Sequence, residues 1–389
     1  MKRKKLVVMG FMAGCPVAGV IWQHIHYIVG LQRLGHDVYY IEDSARYPYD
    51  PEELAFTEHF RYPARLLDQL ARKFGFEGRW AFCARYQSDL PTAGLSIKQI
   101  RRLYREADGI LNVCGAQEMN DDLRVSDRIL YVESDPAVEQ IKVDQRNATT
   151  IEYLRQHRKL FTFGENVGRD DFPVPKHGLE WLPTRQPVVL DFCKGARAPA
   201  ADARFTSVAN LNTSGKDVTW RGETYLWSKA REFLRFIAAP RKAGERFELA
   251  SGIKDAATQS RFARNNWQLR DPTDLTDNFK LYRHYLRRSK AEFTVAKDQY
   301  VRLRTGWFSD RSACYLAAGR PVIMQDTGFS DHYGGDGGLF AFSSLAEIVE
   351  AVKMINADYA KHSRAARAIA REVFDAEKVL RSLLDRAGI

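Results

Sequence analysis

The run from Gly306 to Gly328 constrains this 389-residue chain more than any other: Gly-Trp-Phe-Ser-Asp-Arg-Ser-Ala-Cys-Tyr-Leu-Ala-Ala-Gly-Arg-Pro-Val-Ile-Met-Gln-Asp-Thr-Gly. Ser309 is placed to cap a short helix, small and apolar residues fill it, Gly319 ends it, and Pro321 opens a strand that runs into the polar loop Asp326-Thr327-Gly328. A helix that starts Ser309-Asp310-Arg311-Ser312 gathers unsatisfied backbone N–H groups, the positive end of the dipole, hydroxyls and a guanidinium at one point. Such a point suits a diphosphate.

A helix-turn-strand unit of this kind belongs to a parallel sheet, and the start of the chain supplies another. Leu6 to Gly10 reads as a buried strand and Phe11 to Gly19 as a loop of small residues. Val20 to Leu34 then carries Ile21, Ile25, Ile28, Leu31 and Leu34 at helical spacing, and His36 to Ile41 reads as a second strand ending in Glu42-Asp43. Together they make a βαβ unit. Further strands are expected at 109–113, 128–132 and 160–163, with an aromatic, irregular acceptor-side insertion over 46–95 and a proline-bracketed link over 181–187. The second half restarts the alternation. Strands are expected at 205–211, 246–249, 291–295 and 339–342, and helices at 223–237, 273–288, 311–318, 345–355 and 359–384. The resulting expectation is an α/β chain of two Rossmann-like domains facing a central cleft. The divisions fall at residues 1–183, 184–358 and a C-terminal helical stretch over 359–389.

Hydrophobic residues make up 45% of the chain, enough for two packed cores. The basic start Met1-Lys2-Arg3-Lys4-Lys5 precedes an apolar run too short for an export signal, so it reads as the approach to the first strand. Five scattered cysteines with no Cys-x-x-Cys pair argue for a reducing, cytoplasmic setting and against a zinc site. The net charge of +10 selects anionic partners in general, and the cluster Arg283, Arg287, Arg288 and Lys290 reads as a solvated helix face. A Gly-x-Gly-x-x-Gly fingerprint is missing, which argues against a nicotinamide cofactor.

The ending Ala-Ala-Gly-Arg-Pro-Val with its Asp-Thr-Gly loop, the opening Ala18-Gly19-Val20 with Leu31-Gln32-Arg33-Leu34-Gly35-His36-Asp37-Val38, and the order of the last elements resemble GT-B glycosyltransferases, including their group 1 C-terminal domain. The resemblance implies transfer of a sugar from a nucleoside-diphosphate sugar to an acceptor hydroxyl or amine, with no metal and no further cofactor; it makes 1–183 the acceptor-side domain and 184–358 the donor domain, and returns the helices of 359–389 to the first domain. It places the diphosphate on Ser309, Asp310, Arg311 and Ser312 with Lys297 nearby, and the sugar on Asp326, Thr327 and Gly328. Gly14, Gly19, Glu165 and Asn166 fall on the acceptor side, and His24 takes the place of a catalytic base beside Asp326. The chain departs from the family at two positions where carboxylates are common, which here are Cys314 and Gly306. Two other readings stand beside this one. One is a nucleotide-sugar 2-epimerase-like enzyme of the same architecture. The other, suggested by the charge, is a nucleic-acid-directed glycosyltransferase or binding protein.

Overall fold

The computed structural model describes residues 2–193, 198–335 and 337–389, and builds them around two parallel sheets. The first sheet has eight strands, in the order Trp181–Pro183, Lys159–Thr162, Ile129–Glu133, Gly109–Val113, Lys5–Met9, Asp37–Ser44, Trp80–Ala84 and Thr92–Gly94. All its pairings are parallel except the last. The second has six parallel strands, in the order Trp267–Arg270, Phe247–Ala250, Phe205–Val208, Ala291–Thr294, Val322–Gln325 and Leu339–Phe342. Helices cover both sheets, so central strands are buried on both faces and read as continuous apolar runs.

The C-terminal segment ties the halves together. Helix Tyr359–Val373 packs on helix Asp310–Ala317 of the second domain, and helix Ala376–Ala387 packs on helix Ala18–Arg33 of the first. Gly30 permits that last crossing, because a Cβ there would lie 2.5 Å from Leu380 Cδ1. Between the two C-terminal helices Phe374 stacks on Phe308, and its carbonyl accepts from the Val188 N–H at 2.7 Å. Among the described residues no helix is long and apolar enough to cross a membrane.

Several local expectations change. The stretch 46–95 is no irregular insertion: it holds the amphipathic helix Arg61–Phe74 and the strand Trp80–Ala84, whose five residues are all buried and so show no alternation. Trp181–Pro183 is an edge strand rather than a link, where proline's missing N–H costs no ladder bond. The expected helix over 223–237 begins instead as a hairpin, Val218–Trp220 against Glu223–Tyr225, and only Ala230–Arg235 is helical. Arg221 and Gly222 both take positive φ, 49° and 81°, as a two-residue hairpin turn requires. The helix expected over 273–288 is interrupted where Asn278 caps Phe279–Arg288, accepting from the N–H groups of Lys280 and Leu281. The helix over 359–384 likewise breaks at Asp375, which caps its second half.

Gly10, at the end of the first strand, is held to its identity by packing. A Cβ at this position would stand 2.1 Å from the His24 ring and 3.0 Å from the Tyr40 hydroxyl. Gly10→Ala is therefore expected to destabilise the chain by roughly 1–3 kcal/mol through overpacking. Gly252→Ala, where no atom lies within 4 Å of the added methyl, is the matched control. Thermal unfolding of the two variants checks this, and equal melting temperatures would refute it.

Candidate active site

The C-terminal ends of both sheets face one another across a cleft, the place where open parallel sheets bind ligands. A cavity of about 700 Å³ occupies it. Gln23, Cys114, Glu133 and Asp135 line it from the first domain, and Lys216, Trp307 and Asp310 from the second. Two non-glycine residues here hold unusual backbone: Cys114 at φ 61° on the wall, and Ala137 at φ 102° just beyond Asp135. Strain of this kind persists only where the surroundings impose it, and it concentrates at functional sites.

Positive charge accumulates on the second-domain side. Lys297, just beyond strand Ala291–Thr294, reaches across the cleft to Asp135 at 2.8 Å, and the Tyr300 hydroxyl donates to the same carboxylate oxygen. Burial would push the Asp135 carboxyl up, but the Lys297 charge and these two donors outweigh it and leave the pKa below its ordinary value. Lys297 itself is lowered to about 8 by burial, against the pull of Asp135. Its ammonium lies 2.9 Å from the centre of the Trp227 ring, and Lys216 lies 4.7 Å from the same centre. Lys229 is only 8% exposed, with its ammonium 5.7 Å from the Trp307 ring centre. Among the described residues no carboxylate pairs with Lys229. Burial first, then the charges of Arg311 and Lys297, drive its pKa well below the usual lysine range.

Two acids of opposite domains face the same space. Asp310, partly exposed to the cavity, accepts a long 3.4 Å bond from Gln23 and is raised to about 7 by burial and by the charge of Asp135. Glu133 is raised to about 8 by burial, although the Thr162 hydroxyl (2.6 Å) and the Gln140 amide (2.9 and 3.0 Å) donate to it. Among the described residues neither acid has a cation as hydrogen-bond partner.

The residues singled out from sequence are placed as follows. Ser309 occupies the N-cap of helix Asp310–Ala317 by backbone conformation, but its side chain makes no capping bond. The Ser312 hydroxyl is buried with no partner. Arg311 turns inward rather than toward a ligand: it donates to Glu292 at 2.6 Å and to Thr294 at 2.9 Å, beneath the helix. His24 does not fit the role of base. It is fully buried in the first domain, its Nδ1 2.8 Å from the Val20 carbonyl and its ring edge-on to Phe11 and Tyr40, and burial lowers its pKa to about 4. The Gly14 N–H is taken by the buried Glu42 carboxylate at 2.8 Å, and Gly19 sits on the first helix facing Tyr282 of the second domain. Asp326 shapes its own loop, accepting from the Gly328 N–H at 3.0 Å, with Arg304 at 3.4 Å on its other oxygen. Thr327 is buried and donates to the Trp307 carbonyl.

Glu165, Asn166 and the 326–328 loop do come together, as an interdomain seam. Glu165 pairs with Arg185 at 2.5 Å, while Asn166 donates to the Arg304 carbonyl at 2.7 Å and meets His332 at 2.6 Å. A Cβ on Gly328 would lie 2.6 Å from the Asn166 amide nitrogen. The missing carboxylates also find a reason at this seam and at the domain interface. Gly306 takes φ 76° with Glu165 and Asn166 about 3 Å from where its Cβ would be, and Cys314 sits 3.6 Å from His26 Nε2. Sequence reasoning missed Lys216, Lys229, Glu133 and Asp135. The last two end a parallel strand in Glu133-Ser134-Asp135-Pro136, and Lys216 follows Thr213-Ser214-Gly215 after another, so the rule that strand ends bind ligands marks them. Lys229 carries no comparable local signal.

The whole chain superposes on solved structures. One is an alpha-glucosyltransferase in complex with UDP, with TM-score 0.57, 11% identity and 99% of each chain covered. The alpha-glucosyltransferase with UDP and a 13-mer DNA containing a central A:G mismatch gives 0.59, 10% and all of both chains. Anabaena HepE in complex with UDP and glucose gives 0.54 and 11%, covering 99% of this chain and all of that one. This chain has the GT-B fold. No family model matches it, and no curated protein is similar to it in sequence.

Within this GT-B chain Arg311 and Glu292 form a buried ion pair, and one Glu292 oxygen has no partner even so. Arg311→Ala should therefore unfold or strongly destabilise the chain, by about 3–5 kcal/mol, because Glu292 is left as a lone buried charge. Combining Arg311→Met with Glu292→Gln should restore most of that loss. Denaturant titration of single and double variants decides this, and a stable Arg311→Ala protein would refute the pairing as a structural necessity.

Proposed function

We propose that this chain is a glycosyltransferase that moves a sugar, of hexosyl type, from a nucleoside-diphosphate sugar to an acceptor hydroxyl or amine without a divalent metal. The observation that carries this reading is Lys229, a lysine only 8% exposed whose charged form is disfavoured by burial and by the nearby charges of Arg311 and Lys297, against the pull of Glu292 and Asp135, with no carboxylate within ion-pair distance among the described residues. Burial and like charges disfavour the protonated form of such an amine, and a bound dianion would favour it. Solved structures of the same fold include complexes with UDP.

In the proposed reaction the bond between the sugar C1 and the diphosphate oxygen breaks, and its electron pair leaves with the nucleoside diphosphate. The acceptor oxygen bonds to C1, and its proton passes to the Asp310 carboxylate. Fixed cations stabilise charge where it develops on the leaving group, which is the way such sites lower a barrier. The two adjacent acidic pairs of the sequence, Asp121-Asp122 and Asp170-Asp171, are held in ion pairs. Asp122 is held by Arg85 and Arg101, Asp121 by Arg124, Asp170 by Lys176 and Asp171 by Arg169. The five cysteines, all free, support a reducing, cytoplasmic setting.

One nucleotide among UDP, GDP, ADP and dTDP should stabilise the chain in a thermal-shift titration. Lys229→Met should weaken that nucleotide at least tenfold while leaving the melting temperature of the free protein equal or higher. Failure of all four nucleotides to shift the transition would sink the donor assignment. Transfer should survive EDTA, and abolition by chelation with recovery on Mg²⁺ would overturn the metal-free reading.

Asp310 gives a pH signature. It must be ionised to accept a proton, and its pKa is raised to about 7, so kcat/KM should climb with pH through that value. Asp310→Asn should remove this limb and lower the rate by about 10²- to 10⁴-fold. An unchanged pH profile in that variant would take Asp310 out of the proton path.

A further inference from the structure

We infer that the acceptor is amphipathic: a hydroxyl or amine that enters the cavity, joined to an uncharged aryl or alkyl group that lies outside it on the first-domain lip. The inference rests on the glycosyltransferase reading and adds where the rest of the acceptor sits. Two loops make that lip, one leaving strand Lys5–Met9 and one leaving strand Asp37–Ser44, and each sends a residue into the cavity wall, Phe11 and Arg46. Among the described residues the large apolar side chains that stand exposed are concentrated here. Val17, Tyr47, Leu54 and Phe56 lie on these two loops, whereas Val125, Leu281 and Met354 lie singly on other segments of the chain. Scattered apolar residues on a surface need no explanation, but a group of them beside a cleft marks a contact surface.

The group is continuous with the cavity and held in place. Tyr47 directly follows the cavity residue Arg46, and its ring centre stands 4.8 Å from that of Tyr86. Beyond it the hairpin Tyr49–Asp50 against Ala55–Phe56 sets the Tyr49 and Phe56 rings edge to face, 5.5 Å apart, and carries Leu54 in its turn. Leu54 and Phe56 are 74% and 73% exposed, and Leu54 holds φ 55°, a left-handed conformation unfavourable for a leucine. The hairpin is pinned at its base: the Tyr49 N–H donates to the Gly14 carbonyl at 2.9 Å and the Thr57 N–H to the Pro48 carbonyl at 3.0 Å. Its two adjacent acids have partners, Glu52 in Arg65 and Glu53 in His59 at 2.9 Å. An uncharged ring or chain attached to a bound hydroxyl covers such a surface without having to order a loop, the condition under which apolar burial adds to affinity. A bilayer is a poorer fit. Segment 45–65 sets Asp50, Glu52, Glu53 and Glu58 against Arg46, Arg61 and Arg65, and so lacks the cationic excess that holds a peripheral surface to anionic lipid.

The test uses the full chain with whichever nucleotide stabilises it and the sugar conjugates of that nucleotide. Acceptors are matched sets with one polar head and a variable tail: methyl, hexyl, phenyl and naphthyl glycosides, with products identified by mass spectrometry. The hexyl and naphthyl members are expected to show kcat/KM at least tenfold above the methyl member, through KM. Leu54→Asn combined with Phe56→Ser should bring that ratio within threefold while leaving nucleotide affinity, melting temperature and use of the methyl member unchanged. Asparagine accepts the left-handed backbone, so the turn survives. Binding of the naphthyl glycoside to the nucleotide-loaded chain, followed by its fluorescence, needs no turnover and should weaken at least tenfold in the same variant. Equal use of methyl and naphthyl members by the wild type, absence of naphthyl binding, or a double variant that keeps the preference each overturns the inference. Vesicles of phosphatidylcholine and phosphatidylglycerol and sedimentation velocity cover the other occupants: if the double variant loses binding to the vesicles or loses self-association, the lip serves a bilayer or a second copy, and the inference is overturned as well. If no nucleotide shifts the melting transition and no donor is consumed, it is the glycosyltransferase reading itself that fails.

Discussion

Lys297 and Asp135 hold the mouth of the cleft together, and most of what the cavity can do depends on that contact. The pair joins an ammonium from just beyond a central strand of one sheet to a carboxylate from beyond the end of a strand in the other. Tyr300 shares the same carboxylate, and the Trp307 indole N–H closes the seam on the Ser134 carbonyl at 2.8 Å. Because both partners come from strand ends, the sheets set their separation. The pair fixes one oxyanion next to the cation cluster and keeps Lys297 only partly neutralised.

Around this contact the molecule sorts its charges by depth. Arg311 and Glu292 are paired beneath the helix and serve the fold. Lys229 is buried beside the Trp307 ring, and burial with the charges of Arg311 and Lys297 drives its pKa well below the usual lysine range against the pull of Glu292 and Asp135. Asp310 stands at the first turn of helix Asp310–Ala317, where the dipole favours a carboxylate, yet burial and Asp135 raise its pKa to about 7. Two tendencies pull on one group, and burial wins. The outcome is an acid poised to exchange a proton near neutrality at the edge of the cavity.

The parts of this architecture that were legible in the sequence are those set by short-range pattern. The opening βαβ unit follows from its periodic isoleucines and from Gly35, and helix Asp310–Ala317 follows from the glycine that ends it and the proline beyond. Trp80–Ala84 was not legible, since a strand buried on both faces lacks alternation and five apolar residues are too few to separate strand from helix. The hairpin at 218–225 was hidden because Arg221 takes a positive φ that its residue type does not advertise.

The sequence by itself determined that two parallel α/β units exist and that a polar helix start lies at the end of one of them, because hydrophobic period and breaker residues act over a few positions. Only the tertiary structure decided which groups face the cleft. His24 and Arg311 have the chemistry of site residues but point into packed interior, held there by Gly10, Tyr40 and Glu292. Asp135 and Lys297 are 162 residues apart, and Lys229 has no local mark at all, yet the crossing of two sheets brings them to one place. Side-chain direction and partner identity depend on contacts between distant segments, and those contacts do not exist until the chain is folded.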